Sequence, residues 1–455
     1  MSKGNITFNQ AIAISIGSII GWGAYVLPGN LFLTKGGFYS SVAGLAVGSF
    51  CVYVIAMAYI FLLKRTPENQ SGGVFWVQKY LNSRHAFVYG WGVALAYLSI
   101  ISLNLSAVVL LLRFLLPDGV QAFVYLYSIA GWDVYLSDIL SCVLILGVFG
   151  IANYRGIEIG AKIQLLISTV MIASVLLIFA GSVTDAVGSD QPLFPDLAEV
   201  DTVWTWAWVP ILAVMPWAYV GFETTPQLSR DIANSRTRTQ YIITISMFFG
   251  FVFYLLVDYV TALNMQFDYG AVMASDWATG EGIEQAMGNF GMVVLAVAML
   301  MSILSGINGF MLATYKLLES MIREDLLAFG DSVGRQARHK RIILLICAVC
   351  ITTPWLGRNY LLEIVNMASL WISFGYLYVV WIAFSEQRKE GKVSLMMLLA
   401  LVIAVLFLLL LLLPFSPAAL SGDAYIMLVV FIALGAVFFY RKFISKNAKH
   451  FVDDE

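Results

Sequence analysis

The chain is a succession of long apolar runs, each about the length a helix needs to cross a bilayer. Hydrocarbon about 30 Å thick and a helical rise of about 1.5 Å per residue call for about 20 apolar residues. Residues 8–34, 39–63, 87–115, 136–153, 159–181, 203–228, 240–264, 286–318, 340–356, 361–384, 395–415 and 424–441 meet that measure. The expected fold is an all-α polytopic membrane protein of about 12 transmembrane helices. Of the 455 residues 60% are hydrophobic and 12% charged, too few charges to cover a water-soluble particle, which carries roughly 25%. A formal net charge of −2 leaves no basic footprint for nucleic acid. The expected partners are membrane lipid and a small-molecule substrate, and no sequence feature fixes the oligomeric state. Cys51, Cys142, Cys347 and Cys350 all fall in apolar runs. The Cys347-x-x-Cys350 pair has no histidine beside it, so no metal, redox centre or other cofactor is expected.

The first run is too long for a signal-peptide core and lacks a small-residue cleavage site, so it reads as a retained span. With the N-terminus in the cytoplasm, all but Lys35, Arg113 and Arg358 of the 26 Lys and Arg fall on the inner half. Basic residues favour that side. Both termini are therefore expected in the cytoplasm, with the protein in a cell membrane of the bacterial inner-membrane kind. His85, His339 and His450 all lie in inner segments, which excludes a histidine relay across the bilayer. Residues 72–86 read as one amphipathic inner helix.

Two runs contain sequence that a continuous membrane helix would avoid. The first carries GSIIGWGAYVLPGN, Gly17 to Asn30; the sixth carries VPILAVMPWAYVGFETTPQ, Val209 to Gln227. Glycine weakens a helix by about 1 kcal/mol relative to alanine, and proline by about 3. Bare backbone in hydrocarbon costs several kcal/mol per group, so such breaks persist only where a cavity or ligand satisfies them. Gly44 and Gly48, by contrast, read as close helix packing. The breaks open the corresponding helices of residues 8–181 and 203–384. That pairing points to an inverted-repeat transporter core, 1–384, followed by two further helices and a tail in 385–455. Half-helix amino termini offer N–H groups to an anion and carboxy termini offer carbonyls to a cation. An amino acid carries both charges. Trp22, Trp217 and Tyr219 lie at the breaks, where they can shape a pocket; the other aromatics are expected at lipid faces and interfaces, Trp132 and Trp204 among them.

Charges inside the runs are costly. Glu223, next to the sixth-run break, and Asp258 in the seventh are the candidates for exchanging a proton during a transport cycle. Lys162 and Arg113 lie near run ends and read as snorkelling. Lys316 and Glu319 read as an ordinary helix pair.

These residues resemble the amino acid–polyamine–organocation permeases, whose leucine-transporter fold has two inverted five-helix repeats plus two helices. IGSIIGWGAYVLPG is similar to the family's I-G-x-G-I-F break, and TPENQSGGVFW, through Pro67, Gly72, Gly73 and Phe75, to its P-x-x-G-G loop. NYRGIEIGAKIQ (Asn153 to Gln164), WAYVGFE and YKLLESMIREDLL (Tyr315 to Leu327) resemble three further family segments in order. Some positions look most like the arginine/agmatine antiporter type. The resemblance implies helices 1 and 6 broken, with substrate held by Ile20, Gly21, Trp22, Gly23, Asn104, Trp217, Ala218, Tyr219 and Gly221. The Ile20, Trp22 and Gly23 backbone would meet the substrate carboxylate, carbonyls near Trp217 and Tyr219 its ammonium. Trp217 would close over the substrate as a gate. Three positions depart: Trp22 replaces the usual serine, which removes a hydroxyl and implies a small pocket; Met171 stands where some sodium-independent members carry lysine; and Lys316 replaces an arginine, with Glu324-Asp325-Leu326 only approximating the motif after it.

The expected function is a secondary active transporter for an amino acid or amino-acid-derived amine, working by exchange or proton coupling. The alternative is sodium-coupled symport, with Ser302 and Ser305 as oxygen donors beside the first break. No enzyme-like cluster of nucleophiles, no repeated channel filter and no nucleotide-binding loop occurs in the sequence.

Overall fold

Hydrocarbon offers no partner to backbone N–H and C=O groups, so a chain this apolar satisfies them within helices. A computed structural model of the protein describes residues 6–67, 70–116, 124–196, 206–232, 235–327, 334–414, 416 and 419–444. Residues 203–205 of the sixth run, Glu68 and Asn69 of the glycine loop, His450 and the tail beyond 444 lie outside the described residues. Nine helices among the described residues are long and apolar enough to cross a membrane, and the chain is a multi-pass membrane protein. Nine is fewer than the 12 runs for physical reasons. The first and sixth runs are shortened by breaks, leaving Phe8–Ile19 and Val209–Ala218. The span Gln336–Lys389, 54 residues long, joins the ninth and tenth runs through the tight turn Thr353–Leu356.

In chain order the helices are α1 (Phe8–Ile19), α2 (Leu33–Lys64), α3 (Gly72–Tyr80), α4 (Ser83–Leu115), α5 (Leu136–Arg155), α6 (Ile157–Gly188), α7 (Val209–Ala218) and α8 (Thr224–Leu228). They continue with α9 (Ser235–Asn264), α10 (Tyr269–Ala274), α11 (Ala278–Arg323), α12 (Arg335–Cys350), α13 (Gly357–Lys389), α14 (Leu395–Leu412) and α15 (Gly422–Phe439). Thr7 and Gln10 start α1 with a reciprocal capping box. The expected helix over 72–86 is two pieces: α3 ends at Tyr80, and Asn82 caps α4 by accepting the His85 amide at 3.0 Å. Asparagine at a cap satisfies an orphan donor, which favours a fresh start over continuation. Gly44 and Gly48 do bring α2 close to α7. A Cβ at Gly44 would lie 2.7 Å from Ile211, and one at Gly48 would overlap Met215. The last two helices, α14 and α15, keep most of their surface open to lipid.

The described chain ends meet at the C-terminal end of α11. The Ile6 amide donates to the Asp231 carbonyl, Asp231 pairs with Lys316, and Lys442 pairs with Asp325. At the opposite end lies a feature the sequence reading missed, a hairpin of β1 (Tyr125–Ile129) and β2 (Trp132–Tyr135). Ala130 and Gly131, both at positive φ, make its two-residue turn. The hairpin gives two of the expected end residues specific partners. Arg113 pairs with Asp138 at 2.5 Å and donates to the Asp133 carbonyl at 2.6 Å. Trp132 is the ring beneath that guanidinium, 4.3 Å from its centroid. One more expectation is extended and one changes. Lys316 and Glu319 form the expected pair three residues apart, within a four-residue network with Arg230 and Asp231. Many aromatics are interior: Tyr59, Tyr97, Phe222 and Tyr376 are wholly buried.

Candidate functional site

The first break is abrupt. Ile20 and Gly21 adopt extended backbone, a short turn Trp22–Tyr25 follows, and Pro28–Phe32 winds wider before α2 begins. The second break, Tyr219 to Glu223, separates α7 from α8. Its pivot is Gly221 at φ 128, where a Cβ would meet the backbone of Ser18 and Ile19. Only glycine allows both that dihedral and that approach. The two breaks therefore touch.

From them a cavity of about 480 Å³ runs toward the hairpin side, between the first break, α4, α7, α11 and α13. That volume suits a small organic solute. Of the expected substrate residues, Gly21, Trp22, Gly23, Asn104, Trp217 and Ala218 line it. A Cβ built on Gly21 meets nothing within 4 Å, so this glycine leaves backbone open to the cavity. The amides at the start of the Trp22–Tyr25 turn lack acceptors one turn earlier, as at any helical start. Asn104 is held by its own helix, Nδ2 donating to the Ile100 carbonyl at 2.9 Å, and its Oδ1 has no hydrogen-bond partner among the described residues. Gly306 gives it room: a Cβ there would stand 2.9 Å from Asn104.

Three expected residues sit behind the wall instead. The Ile20 amide donates to the Ile16 carbonyl, and its own carbonyl accepts Ser302 Oγ at 3.1 Å. Tyr219 is buried with its hydroxyl 2.7 Å from Ser49, and Gly221 serves as the pivot. The Ile20 N–H is therefore already engaged in the last turn of α1. The Ala218 carbonyl, although at the cavity, accepts the Tyr254 hydroxyl at 3.2 Å.

Glu223 is buried beside the cavity. Oε2 accepts the Gly221 amide at 3.0 Å and Oε1 has no hydrogen-bond partner among the described residues. Tyr59, Tyr97 and Tyr376 surround this acid. Asp258 is away from it, on α9 against α2; Ser41, 2.6 Å from Oδ2, is the partner that the sequence did not reveal. Ser302 is engaged with Ile20, and Ser305 Oγ accepts Gln164 Nε2 at 2.5 Å. A side-chain amide thus stands beside the first break, bonded also to the Ala13 carbonyl and to Asn308. Met171, wholly buried, lies further along the same helix.

The sequence reading missed the wall contributed by α13. Leu362, Val365, Asn366, Ser369 and Ser373 line the cavity at helical spacing. The polar members of that stripe were visible in the sequence, one turn or two apart. Among the described residues, no lining residue is Asp, Glu, Lys or Arg, so the described wall is neutral.

A weak relative is "Cationic amino acid transporter 3, mitochondrial" of Arabidopsis thaliana, 25% identical over 335 residues, covering 71% of this chain and 52% of that protein. The chain thus spans about half the length of the curated relative it matches. A sequence model described as amino acid permease matches residues 6–439, nearly all of the chain. The match takes in both breaks and the wall of the cavity. Such a family is one of transporters rather than enzymes. On that match, the chain belongs to the amino acid permease family.

Proposed function

We propose that the protein is a secondary active transporter moving an amino acid, or an amine derived from one, across the cell membrane by alternating access. The observation that carries this reading is the neutral cavity at two touching helix breaks in a chain of this family. Broken helices supply backbone donors and acceptors where hydrocarbon would otherwise forbid them. The two halves, 8–181 and 203–384, act as inverted repeats, with the helices of 385–455 alongside. Substrate contacts come from Gly21, Trp22, Gly23, Asn104, Trp217 and Ala218. The hairpin side faces outward and the ends of the chain lie in the cytoplasm, in keeping with the distribution of basic residues.

The transport mode in this reading is exchange or proton coupling, with Glu223 and then Asp258 as the groups that exchange the proton. Sodium coupling is the weaker reading, since the Ser302 and Ser305 hydroxyls are engaged with Ile20 and Gln164. The test is counterflow. Purified protein in liposomes loaded with unlabelled amino acids or their decarboxylated amines is expected to accumulate the labelled solute, with rates that depend on pH and not on sodium. Failure of every amino acid and amine to exchange overturns the reading; strict dependence on sodium replaces its coupling.

A further inference from the structure

At the hairpin end of the cavity stands a buried cation that nothing above uses. Arg358 opens α13 and is 7% exposed. It lies four residues before Leu362, and seven, eight and eleven before Val365, Asn366 and Ser369. It therefore continues, one turn earlier, the helical face whose later residues line the cavity, without lining it itself. Its guanidinium carbon lies 4.8 Å from the ring centroid of Trp22, a cavity residue, and its Nη1 donates to Ser106 Oγ at 3.1 Å. No ion pair among the described residues includes it. The start of α13 is pinned on both sides. Tyr127 of the hairpin donates to the Trp355 carbonyl at 2.5 Å, and Asn359 donates to the Ala130 carbonyl at 2.8 Å. Gly357, at φ 71, leaves Ile129 room to pack.

A buried charge without a counter-ion is costly, and one held so firmly next to a solute cavity points to a binding function. Trp22 covers the guanidinium face and Ser106 takes one corner. The Nε–Nη2 edge has no hydrogen bond among the described residues, and that edge matches a carboxylate with two parallel bonds. We propose that Arg358 receives the substrate carboxylate at the hairpin end of the cavity, so that the transported solutes carry a free carboxylate and no net positive charge. The inference rests on the transport reading above and narrows its substrate class. A neutral wall with one cation at its end repels arginine, lysine and decarboxylated amines.

The test compares each neutral amino acid with its methyl ester, its decarboxylated amine, and arginine. In counterflow the neutral amino acids are expected to exchange, and the other three classes to exchange at least about tenfold less well. Arg358→Gln is expected to raise KM for the neutral amino acid roughly ten- to a hundredfold, with a smaller change in kcat. The preference for acid over ester should disappear with it, while Arg358→Lys retains part of that preference. Thermal shift of the wild-type protein by amino acid and by ester reads the same recognition without a variant. Equal use of esters, amines or arginine by the wild type, or an unchanged acid-to-ester ratio in Arg358→Gln, overturns the inference. If the wild type moves no solute, the transport reading fails. Stabilisation by the acid but not the ester then still supports the carboxylate site, and equal stabilisation overturns it.

Discussion

Lys316 Nζ lies 2.8 Å from Asp231 Oδ2, tying α11 to the turn that follows α8 at the end opposite the hairpin. The same ammonium lies 2.9 Å from Glu319, which Arg230 also reaches, and the Asp231 carbonyl accepts the Ile6 amide. Helix ends on the far side of both breaks are thus joined through one buried charge.

Removing that charge leaves Glu319 with Arg230 alone and Asp231 with no ion-pair partner among the described residues. Lys316→Met is expected to lower stability by about 3 kcal/mol, read as a fall in unfolding temperature. It should also increase labelling of a cysteine placed at Ile232. An unchanged unfolding temperature and unchanged labelling would show that the network fastens nothing.

Gly221→Ala tests the contact between the breaks. The new methyl would need a dihedral that alanine avoids and would strike the Ser18–Ile19 backbone. A loss of about 2 kcal/mol or more is expected, together with loss of solute binding. Full binding in the variant would mean that the breaks move apart freely.

Trp217 lines the cavity on α7 and is half-buried against the core. Trp217→Ala is expected to weaken solute binding roughly tenfold through lost apolar contact, with folding retained. Binding by thermal shift decides this; an unchanged affinity removes Trp217 as a gate.

Trp22 fills space that serine would leave open. Trp22→Ser should admit longer side chains, measured as new competitors in counterflow. A profile identical to that of the wild type would place the ring outside the solute's path.

Glu223 offers two outcomes that differ in shape. If proton exchange at Glu223 drives the cycle, Glu223→Gln transports with a flattened rate profile between about pH 5 and 8. If the carboxylate only holds the Gly221 amide, the variant loses activity at every pH and the shape of the profile is kept. The first outcome is expected.

Much of this protein was legible because hydrocarbon imposes harsh local rules. Runs of about 20 apolar residues mark helices wherever they occur, and clustered Gly and Pro at 17–30 and 209–227 mark where helices stop. Those rules act on neighbours in the chain, so the breaks around Gly21–Gly23 and beside Trp217, where the cavity lies, could be located from sequence. The hairpin was missed because its strands are short and its turn is Ala130-Gly131, a weaker signal than Asn-Gly.

What only tertiary structure decided concerns partners far apart in the chain. Whether the amide of Ile20 faces a solute or closes the last turn of α1 depends on where that helix ends. Whether Ser302 holds a cation or bonds Ile20 depends on how closely α11 approaches. Arg113 and Arg358 both sit near run ends and are alike in sequence, yet one finds Asp138 and the other finds Ser106 and Trp22. The apolar pattern determines that helices form and where they break. The packing of those helices determines which polar group meets which, because in the membrane each one takes whatever partner the fold brings within reach.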